Sequence, residues 1–208
     1  MNEYIESLIP DESEILTKLR AYALDTRSPI LRREAAQFMR VLTSLRRPGK
    51  ILEAGTCIGY SAILMAECAP GAKIETVEID PDIALIARRN IEEAGLSGRI
   101  RVIVGDATEV FSSLSGTYDM IFVDSAKGQY IHMYEDIIRL LASGGLLVCD
   151  NCIFYDKIYD EPQDAPHKHR TIVANMRAFL TKAMNDPCLS ATLLEVGDGM
   201  LVAAKKGE

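Results

Sequence analysis

The chain lacks most of what would place it in a membrane, outside the cell or along a nucleic acid. Its 208 residues contain no run approaching the roughly 18 uninterrupted apolar residues that a membrane span needs. The opening residues, Met1-Asn-Glu-Tyr-Ile-Glu6, are acidic and have no apolar export core. Five cysteines are an odd number, in no disulfide-like framework. These absences point to a reducing cytoplasm. There is no basic excess: 23 Lys and Arg face 30 Asp and Glu, a net charge of −7, which is not the profile of a general nucleic-acid binder. Repeats, low-complexity tracts and obvious linkers are missing too. What is present, 48% hydrophobic and 25% charged residues at this length, suits one globular domain over 1–208. Within it, 1–48 reads as a helical extension and 49–208 as an α/β core.

The core is organised around Lys50-Ile-Leu-Glu-Ala-Gly-Thr-Cys-Ile-Gly-Tyr-Ser61. A short apolar run, a turn with two glycines and a helical run make the first βα unit of an open sheet. Glycines let the backbone approach a ligand, and the helix start offers unpaired N–H groups. The dinucleotide fingerprint G-x-G-x-x-G is absent: the spacing is Gly55-x-x-x-Gly59, with Cys57 in between. That suits a phosphate-free nucleoside ligand, with Glu53 accepting hydrogen bonds from a cationic amino group. S-adenosylmethionine fits this description; an ordinary strand–helix turn without ligand is the alternative.

Before residue 49 there is no strand signal. Helical spacing over 11–25 and 31–45 predicts two helices, with Ser28-Pro29 as the break between them. After 49 the chain alternates. Strands are expected at 51–54, 74–79, 100–104, 119–124 and 145–150, with helices between, a helix over 171–185, and two strands around Gly197-Asp-Gly199, which reads as a tight hairpin. A long loop covers 152–167. The expectation is a mainly parallel, Rossmann-like seven-stranded sheet ending in an antiparallel hairpin.

Ligands of such sheets sit beyond the carboxyl ends of the strands. Acids stand there: Glu53, Glu78, Asp106, Asp124 and Asp150. Helix capping explains any one of them; a shared site explains all five. Glu78, about 20 residues past the glycine turn, suits ribose hydroxyls. Asp124, Asp150 and Asn151, on neighbouring strands, form a hard oxygen set that favours Mg²⁺ over zinc. A bound cation there lowers the pKa of a substrate hydroxyl. Lys127, its own pKa depressed by the cation, stands ready as general base; its bland role is a surface lysine at a helix start.

These residues resemble the cation-dependent class I O-methyltransferases, the family of catechol and caffeoyl-CoA O-methyltransferases. The pattern stands here as Glu53-x-Gly-Thr-x-x-Gly-Tyr-Ser61, Val77-Glu78-Ile-Asp80, Asp124-x-x-Lys127-x-x-Tyr130 and Asp150-Asn151, within a resemblance running from about residue 28 to the C-terminus. The resemblance implies that Glu53, Gly55 and Ser61 line the methionine part of S-adenosylmethionine, with Leu31, on the second helix, closing over it. Glu78 binds the ribose, Ala107 meets adenine through its backbone, and Asp124 borders both cofactor and metal. Asp124, Asp150 and Asn151 hold Mg²⁺, with Lys127 as the base. Substrate oxygen then attacks the sulfonium methyl in line.

Asp124-Ser-Ala-Lys-Gly-Gln-Tyr130, Arg170-Thr-Ile-Val-Ala and Val196-Gly-Asp-Gly-Met-Leu-Val resemble the branch that methylates 5-hydroxyuridine in the tRNA anticodon loop, giving 5-methoxyuridine. No acid falls between Asp164 and Asp186, while Lys168, Arg170, Arg177 and Lys182 do, with His167 and His169. This local basic patch, with Arg32-Arg33, pairs with phosphates, and Tyr155 or Phe154 stacks on a base. A solvated amphipathic helix is the competing explanation, and a catechol-like or phenylpropanoid hydroxyl is the competing acceptor. A homodimer is expected from the amphipathic N-terminal helices. Cys149-x-x-Cys152 lacks a second pair for zinc, His167 and His169 lack a third ligand, and no Ser or Cys has the surroundings of a nucleophile.

Overall fold

The computed structural model describes residue 4 and residues 7–207. The parts of the N-terminal extension at 1–3, 5 and 6, and residue 208, lie outside the described residues. The helices α1 (Glu14–Thr26) and α2 (Arg33–Arg46) precede a regular alternation. It runs β1 (Lys50–Ala54), α3 (Tyr60–Cys68), β2 (Lys73–Glu78), α4 (Pro81–Glu93), β3 (Ile100–Val104), α5 (Ala107–Ser113), β4 (Tyr118–Val123), α6 (Tyr130–Leu140) and β5 (Leu141–Cys149). It closes with α7 (Arg170–Asn185), β6 (Leu189–Leu194) and β7 (Met200–Lys205). The sheet order is β3-β2-β1-β4-β5-β7-β6. Strands β1 to β5 are parallel, and β7 runs antiparallel to both its neighbours. This is the doubly wound architecture that the alternation predicts, with the order reversing between β1 and β4. No helix among the described residues is long and apolar enough to cross a membrane.

The sheet is covered on both faces, which is why its central strands are nearly continuous apolar runs rather than alternating ones. On one face Leu16, Leu19 and Met39 of α1 and α2 join Ile63 of α3 and Ile91 of α4 over Ile51, Met120 and Val148. On the other, Phe111, Tyr130, Tyr134 and Phe179 of α5, α6 and α7 pack over Leu52, Ile121 and Leu147. Phe179 meets both tyrosine rings edge-on, at 5.5 and 6.0 Å.

Several boundaries depart from the expectations. Ser13 caps the first helix, accepting from the Leu16 amide of α1. The second helix begins only at Arg33, with Arg32 as an extended N-cap. Residues 28–32 therefore form a strap between helices, and Leu31 lies on that strap rather than on α2. Arg20 anchors it: its guanidinium donates to the Leu31 carbonyl at 3.0 Å and also to Glu12 and the Tyr60 hydroxyl. Strand β5 starts at Leu141, earlier than expected. The hairpin is not tight, because residues 195–199 connect β6 to β7.

That connection is pinned to the chain after β5. Cys152 N donates to Gly199 O at 2.8 Å and Ile153 N to Asp198 O at 2.9 Å. Just beyond, Phe154, Tyr155 and Asp156 all have positive φ (52°, 53° and 64°), a conformation L side chains rarely adopt and that costs roughly 1–2 kcal/mol per residue.

Gly55 is where the first βα turn depends most on glycine. Its φ is 100°, and a Cβ would lie 2.1 Å from the Asp124 carbonyl oxygen. Gly116 also has positive φ (86°) but nothing within 4 Å. Gly55→Ala is expected to lose on the order of 3 kcal/mol or more in urea unfolding, against about 1 kcal/mol for Gly116→Ala. Equal losses would show that backbone approach at residue 55 is not limiting.

Candidate active site

The parallel ladder sets the position of each strand-end acid. Asp124 N donates to Ala54 O at 2.8 Å, and Asp150 N to Val123 O at 3.0 Å, so the pairing of β1, β4 and β5 runs one residue past each strand. Asp124 and Asp150 follow directly from that register. The buried Tyr130 hydroxyl lies 3.2 Å from Val123 O and 3.1 Å from Asp150 O, and so ties the ends of β4 and β5 together.

Around these ends lies a cavity of about 640 Å³. Leu31, Gly55, Ser61, Glu78, Ala107, Asp124, Lys127, Asp150 and Asn151 all line it. Glu53, the remaining expected site residue, is fully buried within β1. All the expected cofactor, metal and base residues except Glu53 thus line one cavity.

Their surroundings differ. Glu53 Oε2 accepts the Thr76 hydroxyl at 2.5 Å, and Thr76 also meets Thr56 at 2.7 Å. Glu53 Oε1 is buried and makes no hydrogen bond of good geometry. Burial pushes the Glu53 carboxyl up to about 7, helped by the charges of Asp124 and Glu78 and opposed by the Ser61 and Thr76 hydroxyls. Glu78 is held rigidly, accepting from Cys57 N at 2.8 Å and Asp80 N at 3.0 Å. Asp106 is a helix cap: it accepts from Thr108 N at 2.8 Å, and that threonine lowers its pKa. Capping therefore explains Asp106 but not Glu53, Asp124 or Asp150.

Asp150 is only 4% exposed. Burial raises its pKa, and the charge of Asp124 adds to the effect. Its Oδ1 accepts from the Asn151 amide at 2.7 Å, with Asn151 in the left-handed region (φ 55°) that asparagine tolerates. Lys127 opens a 3-10 turn and donates to Asp124 Oδ1 at 2.8 Å. Two carboxylates with too little compensating charge, beside an amide side chain, make a donor set that fits a hard divalent cation. Among the described residues no group of three or more His, Cys, Asp or Glu is arranged to hold a metal; the Asp124–Asp150–Asn151 set relies on an amide for its third donor. The orphaned Glu53 oxygen, the Gly55 approach and the fixed Glu78 carboxylate likewise fit a ligand with a cationic amine and a ribose.

One feature escaped the sequence reading. Asp198, between glycines in a connection read as a turn, is 8% exposed and lines the cavity. Tyr155 lines it too but is largely exposed, with Lys157 Nζ 5.2 Å from its ring centre. The basic segment also looks different in space. Arg177 pairs with Glu161 and donates to Asp160 O, and Lys182 pairs with Glu135, while Lys168 and Arg170 stay exposed. Acids distant in sequence thus fill in part of the expected patch.

Comparison with known proteins follows the same lines. A family model described as O-methyltransferase matches residues 6–206. A catechol O-methyltransferase of Niastella koreensis is 32% identical, over 99% of this chain and 96% of its own. A caffeoyl-CoA O-methyltransferase of Citrus natsudaidai is 30% identical, over 99% and 94%. Among solved structures, the O-methyltransferase from Bacillus cereus in complex with SAH superposes with a TM-score of 0.86 at 25% identity, over 98% of this chain and 96% of its own. TomG from Streptomyces achromogenes, involved in tomaymycin synthesis and solved with SAM, gives 0.85 at 27%, over 98% and 95%. With its whole core matched and its strand-end acids gathered on one cavity, the chain belongs to the O-methyltransferase family.

Proposed function

We propose that the protein is an S-adenosylmethionine-dependent O-methyltransferase acting on a ring hydroxyl that has a second oxygen on the adjacent carbon. The observation that carries this reading is the convergence of Glu78, Asp124, Lys127, Asp150 and Asn151 on one cavity, with Glu53 buried in β1. S-adenosylmethionine supplies the transferable methyl group. Glu53 Oε1 receives its amino group, Gly55 and Ser61 border the methionine part, Glu78 takes the ribose hydroxyls, Ala107 meets the adenine and Leu31 roofs the site. Asp124, Asp150 and Asn151 would hold Mg²⁺, which would supply acidification of the acceptor hydroxyl. Lys127 Nζ takes the hydroxyl proton. Methyl transfer would form the O–CH₃ bond on the acceptor oxygen as the S–CH₃ bond breaks, its electron pair staying on sulfur. Holding both partners in line supplies most of the acceleration.

The names of the relatives support a catechol-like or phenylpropanoid acceptor, whose two neighbouring hydroxyls suit a chelating cation. A second acceptor, 5-hydroxyuridine in the tRNA anticodon loop, offers the same vicinal pair as a hydroxyl beside a carbonyl. It is favoured by one observation, the exposed Tyr155 at the cavity wall close to Lys157, with Lys168 and Arg170 exposed on the neighbouring turn. An aromatic ring flanked by cations suits a splayed base and its phosphate. A second copy of the chain is proposed to cover α1 and α2, where Leu24 and Leu45 are exposed.

Three outcomes are expected. In methyl-transfer assays, catechol or caffeoyl acceptors turn over and undermodified tRNA does not; label entering only tRNA would make 5-hydroxyuridine the acceptor. Lys127→Ala and Asp150→Ala are expected to lower kcat by about 10²–10⁴ while leaving cofactor affinity nearly intact; unchanged kcat would remove both roles. The third outcome concerns pH. Glu53 in the ligand-free protein holds its proton up to about pH 7. A bound ammonium favours the carboxylate, so binding releases a proton and cofactor affinity weakens as pH falls below about 7, by up to about ten-fold per unit. Glu53→Gln is expected to bind more weakly at about pH 8 and to lose this slope in calorimetry. An identical slope in the variant would assign the proton elsewhere.

A further inference from the structure

Asp198 has no part in the reaction scheme above, yet its surroundings are unusual. It lies in the connection between β6 and β7, on the cavity wall, and is more than nine-tenths buried. Its Oδ1 accepts the Tyr155 amide at 2.8 Å. Its Oδ2 is buried and makes no hydrogen bond. A buried carboxylate oxygen without a partner is costly, and native chains keep such a group where something bound compensates it. Nearby stands Asp150, whose proton affinity the charge of Asp198 helps to raise. Gly197, the residue before Asp198, is close enough that a Cβ would lie 3.9 Å from Asp150 Oδ1. The connection thus brings a further negative charge to the two strand-end acids, and among the described residues the one ion pair here joins Lys127 to Asp124.

We infer that Asp198 is an outer charge of the cation site: without touching the ion, its unpartnered carboxylate strengthens the hold of Asp124, Asp150 and Asn151 on Mg²⁺, while its other oxygen fixes the loop at Tyr155. Among the described residues no group of three or more His, Cys, Asp or Glu is arranged to hold a metal, so Asp198 is not read as a third carboxylate ligand beside Asp124 and Asp150. A charge need not touch the ion to act on it, since Coulomb attraction across a water-poor site is weakly screened. The inference rests on the cation reading proposed above.

Asp198→Asn separates the two oxygens' duties. The amide oxygen still accepts from Tyr155 N, so the loop stays in place, and only the charge is lost. In calorimetric titration of the full chain with MgCl₂, Asp198→Asn is expected to bind about ten-fold more weakly or worse. Its S-adenosylmethionine affinity should stay within about two-fold of the parent, and the thermal midpoint of the metal-free protein should not fall. Equal Mg²⁺ affinity in parent and variant overturns the inference while leaving the cation site standing. If Asp198→Asn does not fold, Asp198→Ser carries the same expectation, being uncharged and smaller. Asp150→Asn is the control: it should lose Mg²⁺ binding whatever Asp198 does. A parent protein that binds no Mg²⁺ overturns the cation reading itself and the inference with it.

Discussion

Two like charges held close together at adjoining strand ends are the constraint on which the rest of this structure turns. Asp124 and Asp150 are each placed by a backbone hydrogen bond to the neighbouring strand, and Tyr130 fastens those strands to one another. A chain selected only for stability gains nothing from this. Asp150 is buried, the charge of Asp124 disfavours its ionised form, and among the described residues the only ion pair of either acid is that of Asp124 with Lys127. Such an arrangement persists where a ligand of opposite charge resolves it. The doubly wound fold supplies the rigidity that keeps the two carboxylates from drifting apart.

The same principle recurs on the other side of the cavity. Glu53 is enclosed in β1 with one oxygen satisfied by Thr76 and the other without a hydrogen bond of good geometry, near the Ser61 hydroxyl. Glu78, by contrast, is fully engaged with backbone amides and stands rigid. One acid thus keeps an oxygen without a well-formed hydrogen bond, and the other has both oxygens engaged. The division follows from burial: Glu53 lies inside a central strand between two covered faces, whereas Glu78 ends a strand where the first βα turn curls back over it.

Much of this was legible in the chain itself. Strand ends could be found because apolar runs stop at acids, and the glycine spacing argued against a pyrophosphate ligand. What was not legible shares one cause, contacts between residues far apart in sequence. Leu31 looked helical by periodicity, but the carbonyl that Arg20 holds belongs to an extended strap. The acid-free stretch after Asp164 looked like a basic face until Glu135 and Glu161 folded against it. Asp198 stood between glycines, a pattern that signals a turn; only the packing of that turn against the chain after β5 reveals a buried acid.

The guanidinium of Arg20 has an implication for how the chain can vary. It joins α1 to the strap through Leu31 and to the start of α3 through Tyr60. The leading helices are therefore not a detachable appendage that evolution or an engineer can swap freely. A recombinant that takes them from one relative and the sheet from another keeps a sound scaffold, but inherits a roof cut for a different house.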